Sequence, residues 1–414
     1  MSPETFKFLF LLCFALERLW QVFLSTLNMR WIAARSREVP DYLKGHVSLE
    51  QLRQAALYAG AKTRLGNISL LLDGFIIILL VVFGIFGLLD SSLAGVENPY
   101  LRAASFFAFL LAAQQVLETP LDYYSTFVVE ERFGFNKTTL KVFWADWIKN
   151  LILSLVLAVP LILAFLWFLS SFKLWWFYSW IFFMVYSLTL TVAYPRLIAP
   201  LFNKFSPLSP GSLADEIAKL IDRCGFSLRE VRVMDASRRS AHSNAYFTGF
   251  GKAKRIVLFD TLLASLKEEE MVSVLAHELG HSQKRHVLKS FFIIQILALA
   301  GFFLLDFSMG LDFIYSGLGL NKNPWSALLA FSLVLPLITF WMAPLFAWRS
   351  RRNEFEADAF AVEAVGTEGP LSTALITLGK ENLSSPEPHP LYVAWHYSHP
   401  PIGERIRRMK KNKN

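Results

Sequence analysis

Long apolar blocks recur along the chain, and polar stretches of varied length separate them. A helix can cross the hydrocarbon core of a bilayer when about 20 consecutive residues are mostly apolar. Seven blocks reach that length, so we predict spanning helices at residues 6–27, 68–89, 103–121, 150–171, 174–195, 288–308 and 326–348. The third block is the weakest because it contains Gln114, Gln115 and Glu118. The pattern therefore predicts an all-α multi-pass membrane protein.

Composition supports this class and excludes others. Of the 414 residues, 54% are hydrophobic and 18% are charged, whereas soluble proteins carry about 25% charged residues. This hydrophobicity excludes intrinsic disorder, and two cysteines cannot form a disulfide framework or a cysteine-only zinc site. The net charge of +8 is better explained by basic loops on the cytoplasmic side of a membrane than by nucleic-acid binding.

The first apolar block has a second interpretation, as a cleaved signal peptide. Such a peptide needs a basic start, a short apolar run and a small-residue cleavage site. This block starts with only Lys7, carries Glu17 and Arg18 in its middle, and stays apolar beyond Arg18. A spanning helix is therefore the favoured interpretation.

Lysine and arginine are concentrated in alternate loops, and this bias predicts the orientation. The first loop contains seven basic residues and the third contains four. The second, fourth and sixth loops contain one each, which are Arg102, Lys173 and Lys322. We therefore expect the odd loops to be cytoplasmic. Seven spans then place the N-terminus outside and the basic C-terminal tail inside.

Two segments, 197–287 and 349–414, are long and polar enough to fold in water. We expect them to form one small α+β cytoplasmic domain, which the last helical hairpin at 288–348 divides in two. Residues 1–196 supply the first five spans and their loops. Within the domain we predict helices and strands at 211–224 (helix), 231–234 (strand), 243–249 (strand), 255–259 (strand) and 267–286 (helix).

Residues 277–281 read His-Glu-Leu-Gly-His and follow a run that is typical of a helix. His277 and His281 then lie one turn apart on one face, a spacing at which two imidazoles can bind one Zn²⁺. Glu278 is adjacent and can reach a water on the metal. The alternative is a pair of histidines on a solvated face.

A catalytic zinc usually has three protein ligands, so one more is needed. Glu354 is the best candidate; it lies one turn before Asp358, and one of these carboxylates can bind the metal while the other orients a ligand histidine. Glu356 is a rival, and a solvated acidic face is the alternative. Two spans separate His281 from Glu354, so the chain returns to the same side. We expect both ligand helices to run straight into spans six and seven, which places the zinc near the membrane surface.

These groups predict peptide hydrolysis. Zinc lowers the pKa of its bound water to about 7 and polarises a peptide carbonyl. Glu278 accepts the proton of the attacking water and passes it to the leaving amine.

Several blocks of sequence resemble the type I CAAX prenyl proteases, which are integral-membrane zinc metallopeptidases. Besides 277–281, the resemblance rests on residues 118–120, 133–137, 194–196, 201–205, 241–247, 354–358, 399–401 and 404–405. It implies seven helices around a water-filled chamber that one zinc site closes on the cytoplasmic side. It also implies that His277, His281 and Glu354 are ligands and that Glu278 is the base.

The same resemblance places Asn244 and His399 at the site, with Arg405 supporting them. Asn244 on an edge strand could hold an extended substrate backbone, and His399 could stabilise the oxyanion. Alternatively, Asn244 only makes a turn and His399 only caps a loop. Three other histidines could be confused with His399, namely His286, His389 and His396.

The resemblance implies a peptide or protein substrate, including one with a lipid-modified C-terminus, and a lipid bilayer as the environment. Short loops and the absence of a retrieval signal at the end of the sequence favour a bacterial inner membrane over the endoplasmic reticulum. Bacteria generally lack prenylation, which would put a farnesylated substrate in doubt.

Other functions compete with this one. A quality-control protease of the heat-shock membrane type shares the chemistry but usually has fewer spans. A transporter or channel is suggested by ionisable groups at membrane depth, which are Glu17, Arg18, Asp73 and Glu118. An internal ion pair or a hydrated lining explains these groups equally well, and transporters often contain internal repeats, which we do not find. An inactive zinc scaffold would not need Glu278.

Overall fold

A computed structural model describes residues 1–226, 230–248 and 255–411. Within these ranges the chain forms sixteen α-helices and one four-stranded sheet. The helices are α1 (Pro3–Arg35), α2 (Leu49–Val82), α3 (Ile85–Ser92), α4 (Pro99–Tyr124), α5 (Leu140–Ser171), α6 (Trp175–Ala193), α7 (Ala199–Phe202), α8 (Ser212–Arg223), α9 (Asp260–Ser265), α10 (Glu268–Gln283), α11 (His286–Met309), α12 (Asp312–Gly317), α13 (Pro324–Val365), α14 (Gly369–Glu381), α15 (Pro390–His396) and α16 (Ile402–Lys411). The strands are β1 (Phe205–Pro207), β2 (Glu230–Met234), β3 (Ala245–Thr248) and β4 (Arg255–Phe259).

Seven of these helices are long and apolar enough to cross a membrane, which confirms the seven predicted spans. They are α1, α2, α4, α5, α6, α11 and α13, and wide helical turns extend α4 to Glu130 and α6 through α7 to Phe202. Each span contacts the next in this order, and α13 contacts α1. The spans therefore form a closed ring, and the multi-pass fold is confirmed.

A large apolar cluster closes one end of the ring. Phe10, Phe106, Phe165 and Trp325 belong to it and come from four different spans. A buried carboxylate at the same end, Asp90, accepts hydrogen bonds that tie neighbouring segments together; its donors include Arg102, Asn321, Asn323 and Trp325. Because a buried charge is costly unless it is paired, this network fixes the closed end.

Two predicted helix boundaries are wrong. The second span does not continue to residue 89, because Gly84 adopts a left-handed conformation (φ 63°) that ends α2 and starts α3. The predicted helix 267–286 ends at Gln283, and α10 does not run straight into span six. Arg285 at φ 56° breaks the path between α10 and α11. By contrast, α13 runs without interruption from the membrane through Glu354, as expected.

The polar segments pack around one hydrophobic core. Ile217, Leu258, Leu275, Leu375 and Ile406 all belong to it, so the cluster joins residues from before and after the last two spans. The sheet beside this core has the order β1-β2-β4-β3; β2 and β4 are parallel, and the other pairs are antiparallel. The three predicted strands correspond to β2, β3 and β4, although Gly249 lies outside the described residues. The domain boundaries proposed from the sequence stay predictions.

The ionisable groups at membrane depth occupy different environments. Glu17 is buried beside Arg18, with 3.3 Å between Oε2 and Nε. Asp73 is 3.4 Å from the hydroxyl of Ser69. Glu118 accepts a hydrogen bond from Gln114 and lines a cavity of about 460 Å³ between α4 and α5. An internal pair and a polar lining therefore account for three of the four groups.

Candidate metal centre

Helix α10 carries the two histidines of the motif and is fixed at both its start and its sides. The Lys267 N–H donates to the Glu270 carboxylate (3.0 Å), which satisfies one of the free donors at the helix start. Acidic residues in the first turn also favour the positive end of the helix dipole. Met271, Leu275 and Leu279 are buried in the domain core one turn apart, so His277 and His281 face the opposite partner, α13.

Close contact between α10 and α13 depends on Gly280. A Cβ built on Gly280 would lie 3.0 Å from the Cα and 3.1 Å from the carbonyl oxygen of Ala357. These are backbone atoms, which cannot move aside without separating the helices. The glycine of the motif thus lets the two donor-bearing helices approach each other.

Two imidazoles and one carboxylate converge between these helices. His277 Nε2 lies 3.2 Å from His281 Nε2, and each of these nitrogens lies 3.3 Å from one oxygen of Glu354. Four ligands at about 2.0–2.1 Å from one tetrahedral ion would lie about 3.3 Å apart. The three side chains therefore have the spacing of a preformed metal site.

The burial of Glu354 supports the same conclusion. The residue is 4% exposed, and its buried Oε2 accepts no well-aligned hydrogen bond within the described part of the chain, although His277 Nε2 lies at 3.3 Å and Arg405 Nη1 at 3.7 Å. A buried carboxylate oxygen without a donor is costly. A cation held by Glu354 and the two histidines would satisfy it, so the residues present fit a divalent metal.

Asp358 and Arg405 support His277 from behind. Asp358 Oδ1 lies 2.8 Å from His277 Nδ1, so His277 Nδ1–H can donate and leave the Nε2 lone pair free for a metal. Arg405 donates to both oxygens of Asp358, at 2.9 and 2.5 Å. Burial and Arg405 lower the pKa of His277, but the adjacent carboxylates of Asp358 and Glu354 outweigh them and raise it to about 9. His277 and its two supporting residues, Asp358 and Arg405, are all buried.

His281 has a separate support that sequence reasoning missed. Its Nδ1 lies 3.0 Å from Nδ1 of His286, and His286 Nε2 lies 3.2 Å from a Glu356 oxygen. His286 follows His281 by five residues, which is not a one-turn spacing. The left-handed backbone conformation of Arg285 brings His286 back towards α10, and no local sequence pattern predicts that bend.

Glu278 lies on the same helix turn as the donors and is partly buried. Burial raises the pKa of its carboxyl group, and the nearby His277 and His281 oppose that effect. A carboxylate with a raised pKa next to a metal site is well suited to accept a proton from water. The position is therefore compatible with a general base.

His399 approaches the donors from the C-terminal segment. Its Nε2 lies 3.3 Å from Glu354 Oε1, while its side chain is 65% exposed. His399 can therefore contact both the metal donors and a molecule bound beside them. The other histidines considered above do not contact Glu354: His286 contacts His281, His389 caps the start of α15, and His396 packs against the Tyr392 ring.

Asn244 is not in this contact group. It is exposed and lies one residue before β3, and within the described residues no hydrogen bond or ion pair joins it to the donors. Its side-chain oxygen accepts from the N–H of Ala245 (2.9 Å). However, β3 is the edge strand of the sheet and packs against α10, so an extended peptide could pair with it beside the centre.

A cavity of about 630 Å³ adjoins the centre. His399 and Arg405 line it on one side, and Tyr58, Lys62 and His242 line it on the side of α2. This volume lies within the range of pockets that bind small ligands or peptides. The metal site is therefore accessible to a molecule inside the protein.

A ring of spanning helices with a converging His-His-Glu centre between α10 and α13 defines the chain as a membrane-embedded metallopeptidase. Comparisons with known proteins extend this result. Residues 28–204 match the family model described as "CAAX prenyl protease N-terminal, five membrane helices", and residues 207–413 match peptidase family M48.

Relatives match over most of the chain. The CAAX prenyl protease 1 homolog of Arabidopsis thaliana is 42% identical and covers 75% of this chain and 74% of its own. The homolog of Oryza sativa is 35% identical over 95% of both chains. The crystal structure of S. mikatae Ste24p aligns with a TM-score of 0.89 and 31% identity, covering 97% of this chain and 98% of its own.

The chain thus belongs to peptidase family M48, and within it to the type I CAAX prenyl protease family. It is a multi-pass membrane metalloendopeptidase. The predicted family and enzyme class are confirmed, and the match favours a peptidase over a transporter or channel.

Proposed function

We propose that this protein is a zinc-dependent endopeptidase that removes the C-terminal tripeptide from prenylated CAAX proteins. The convergence of His277, His281 and Glu354 at 3.2–3.3 Å carries the proposal. Two imidazole nitrogens, one carboxylate oxygen and an open fourth position are typical of catalytic zinc. The names of the relatives support the substrate class.

Each residue of the centre would have a distinct role in hydrolysis. His277, His281 and Glu354 hold the zinc, which supplies Lewis acidity that activates a water molecule and polarises the peptide carbonyl. Glu278 accepts the proton of the attacking water and delivers it to the leaving amine. His399 donates a hydrogen bond to the developing oxyanion. Asp358 and Arg405 keep His277 in the tautomer that presents Nε2.

Substrate binding would use the strand and the cavity beside the centre. An extended peptide pairs with β3, and Asn244, one residue before that strand, contacts the peptide backbone. The cavity of about 630 Å³ receives residues on one side of the cleaved bond. The buried ring of spans keeps a lipid chain of the substrate away from water.

Product analysis tests the proposal. Purified protein is incubated with a farnesylated CAAX peptide and with the same peptide lacking the lipid, and the products are identified by mass spectrometry. We expect one cut after the modified cysteine, release of an intact tripeptide, and loss of activity with a zinc chelator. Cleavage elsewhere in the peptide, or equal cleavage without the lipid, would contradict the substrate class.

We further propose that the metal centre faces the cytoplasm. The concentration of Lys and Arg in the odd loops supports this orientation. Cysteines introduced at Asn321 should react with an impermeant reagent in sealed cells, whereas cysteines in the C-terminal tail near Asn412, outside the described residues, should not. Labelling of the tail but not of residue 321 would reverse the orientation. The relatives named above are eukaryotic, and residence in a bacterial inner membrane stays a prediction.

A further inference from the structure

A larger cavity, of about 930 Å³, lies between the C-terminal end of α1, the part of α13 from Trp348 to Phe355, and the C-terminal helices α15 and α16. Arg35, Arg351, Val393 and Arg407 line it, one from each of these helices. The three metal donors are not among its lining residues in the described part of the chain. Its volume lies near the upper end of the range for ligand sites.

The cavity is strongly basic. Five arginines and two glutamates line it, so it carries an excess of positive charge; they are Arg35, Arg351, Arg352, Arg407, Arg408, Glu387 and Glu404. Planar guanidinium groups bind phosphate oxygens through paired, charge-assisted hydrogen bonds. The lining therefore favours a phosphate-containing anion.

Two of the arginines have acidic partners: Arg35 Nη1 lies 3.0 Å from a Glu387 oxygen, and Arg352 Nε lies 3.3 Å from a Glu356 oxygen. Two others have neutral partners inside the protein. Arg351 Nη1 donates to the carbonyl oxygens of Val393 (2.8 Å) and Tyr397 (2.9 Å). The guanidinium of Arg408 lies over the Phe355 ring, 4.1 Å from its centroid. These neutral contacts orient Arg351 and Arg408 without neutralising them. Together with Arg407 they leave an excess of positive charge over Glu404, the remaining glutamate of the lining.

The position of the cavity indicates where the anion comes from. Trp31 and Trp348 line it together with the arginines, and Trp348 directly precedes Arg349, where the apolar part of α13 ends. Tryptophan is enriched at the level of lipid headgroups, and basic residues mark the same boundary. The cavity therefore opens at the depth where phospholipid phosphates lie.

We propose that this cavity binds the anionic headgroup of a membrane phospholipid, with Arg407 of α16 and Arg35 of α1 as principal contacts; Glu387 holds one nitrogen of Arg35 and leaves its other N–H groups for the phosphate. Basic pockets between spanning helices are a recognised setting for anionic headgroups. A soluble phosphate would meet the same guanidinium groups but would gain nothing from the flanking tryptophans. The site is independent of the metal centre and of the proposed substrate.

Lipid binding by the full-length protein tests the proposal. Native mass spectrometry in detergent would compare retention of phosphatidylglycerol with that of phosphatidylcholine. We expect wild-type protein to prefer phosphatidylglycerol, and Arg35→Gln/Arg407→Gln to weaken that binding by roughly 10- to 30-fold, since each basic residue contributes several-fold near an anionic surface. Arg35→Lys/Arg407→Lys keeps the charges and should retain part of the preference.

The matched control is Arg37→Gln/Lys410→Gln, which removes the same charge from two exposed residues of the same segments that do not line the cavity. It should bind phosphatidylglycerol as wild type does. Equal weakening in both double variants would overturn the site, as would equal retention of the two lipids by wild type. Displacement of phosphatidylglycerol by inorganic phosphate, and not by chloride at matched ionic strength, would assign the cavity to a free anion instead.

Discussion

Glu278→Gln is expected to abolish peptide cleavage while leaving the fold and the metal content unchanged. Glutamine has nearly the same shape, so the packing of α10 on α13 is preserved, but it cannot accept a proton at neutral pH. Loss of a general base typically lowers the rate about 10²–10⁴-fold. The measurement is the cleavage rate of a prenylated peptide, with thermal stability determined on the same preparation.

The control for this variant is Glu269→Gln. Glu269 lies on the same helix nine residues earlier and is exposed, so it tests whether any lost carboxylate on α10 lowers activity. It should leave the rate within about twofold of wild type, as is usual for surface substitutions. Activity of Glu278→Gln within a few-fold of wild type would mean that Glu278 is not the base.

Glu354→Ala is expected to remove the metal and with it all activity. The variant deletes one of the three metal donors. Removing a residue that only supports a donor lowers metal affinity roughly 10- to 100-fold, so removing a donor itself should lower metal affinity further. It also leaves a cavity beside two histidines and Arg405, so some loss of stability is expected. Glu354→Gln keeps the volume of the side chain, so it should leave no cavity and should fold normally. Because it should still bind metal poorly, it separates the loss of metal from the loss of stability.

Glu356→Ala is the matched control for that prediction. Glu356 lies two residues away on α13, partly exposed, and its carboxylate contacts His286 and Arg352 rather than the donors. Its effect on metal affinity should stay below about tenfold, since it acts only through His286 on His281. Full metal content in Glu354→Ala, or equal loss in both variants, would contradict the ligand assignment.

The sequence was sufficient for those parts of the site that depend on local spacing. His277 and His281 are one helical turn apart, so their shared face follows from helix geometry alone. The uninterrupted run of α13 through Glu354 likewise follows from its continuous helical pattern. The seven spans follow from hydrophobicity, because lipid contact requires long apolar helices.

The remaining features depend on backbone geometry and long-range packing. The bend at Arg285 separates α10 from span six and brings His286 to His281, yet arginine carries no signal for a left-handed conformation. The pairing of Arg405 with Asp358 joins segments 47 residues apart. Asn244 was expected on the edge strand but lies one residue before it, because strand ends depend on pairing with β4.

The most direct test of the account is the zinc content per chain, measured together with cleavage, for wild type, Glu278→Gln and Glu354→Ala purified in the same way. The account predicts one zinc and full activity for wild type, one zinc without activity for Glu278→Gln, and neither zinc nor activity for Glu354→Ala. Cleavage by zinc-free Glu354→Ala, or by zinc-loaded Glu278→Gln at the wild-type rate, would contradict it.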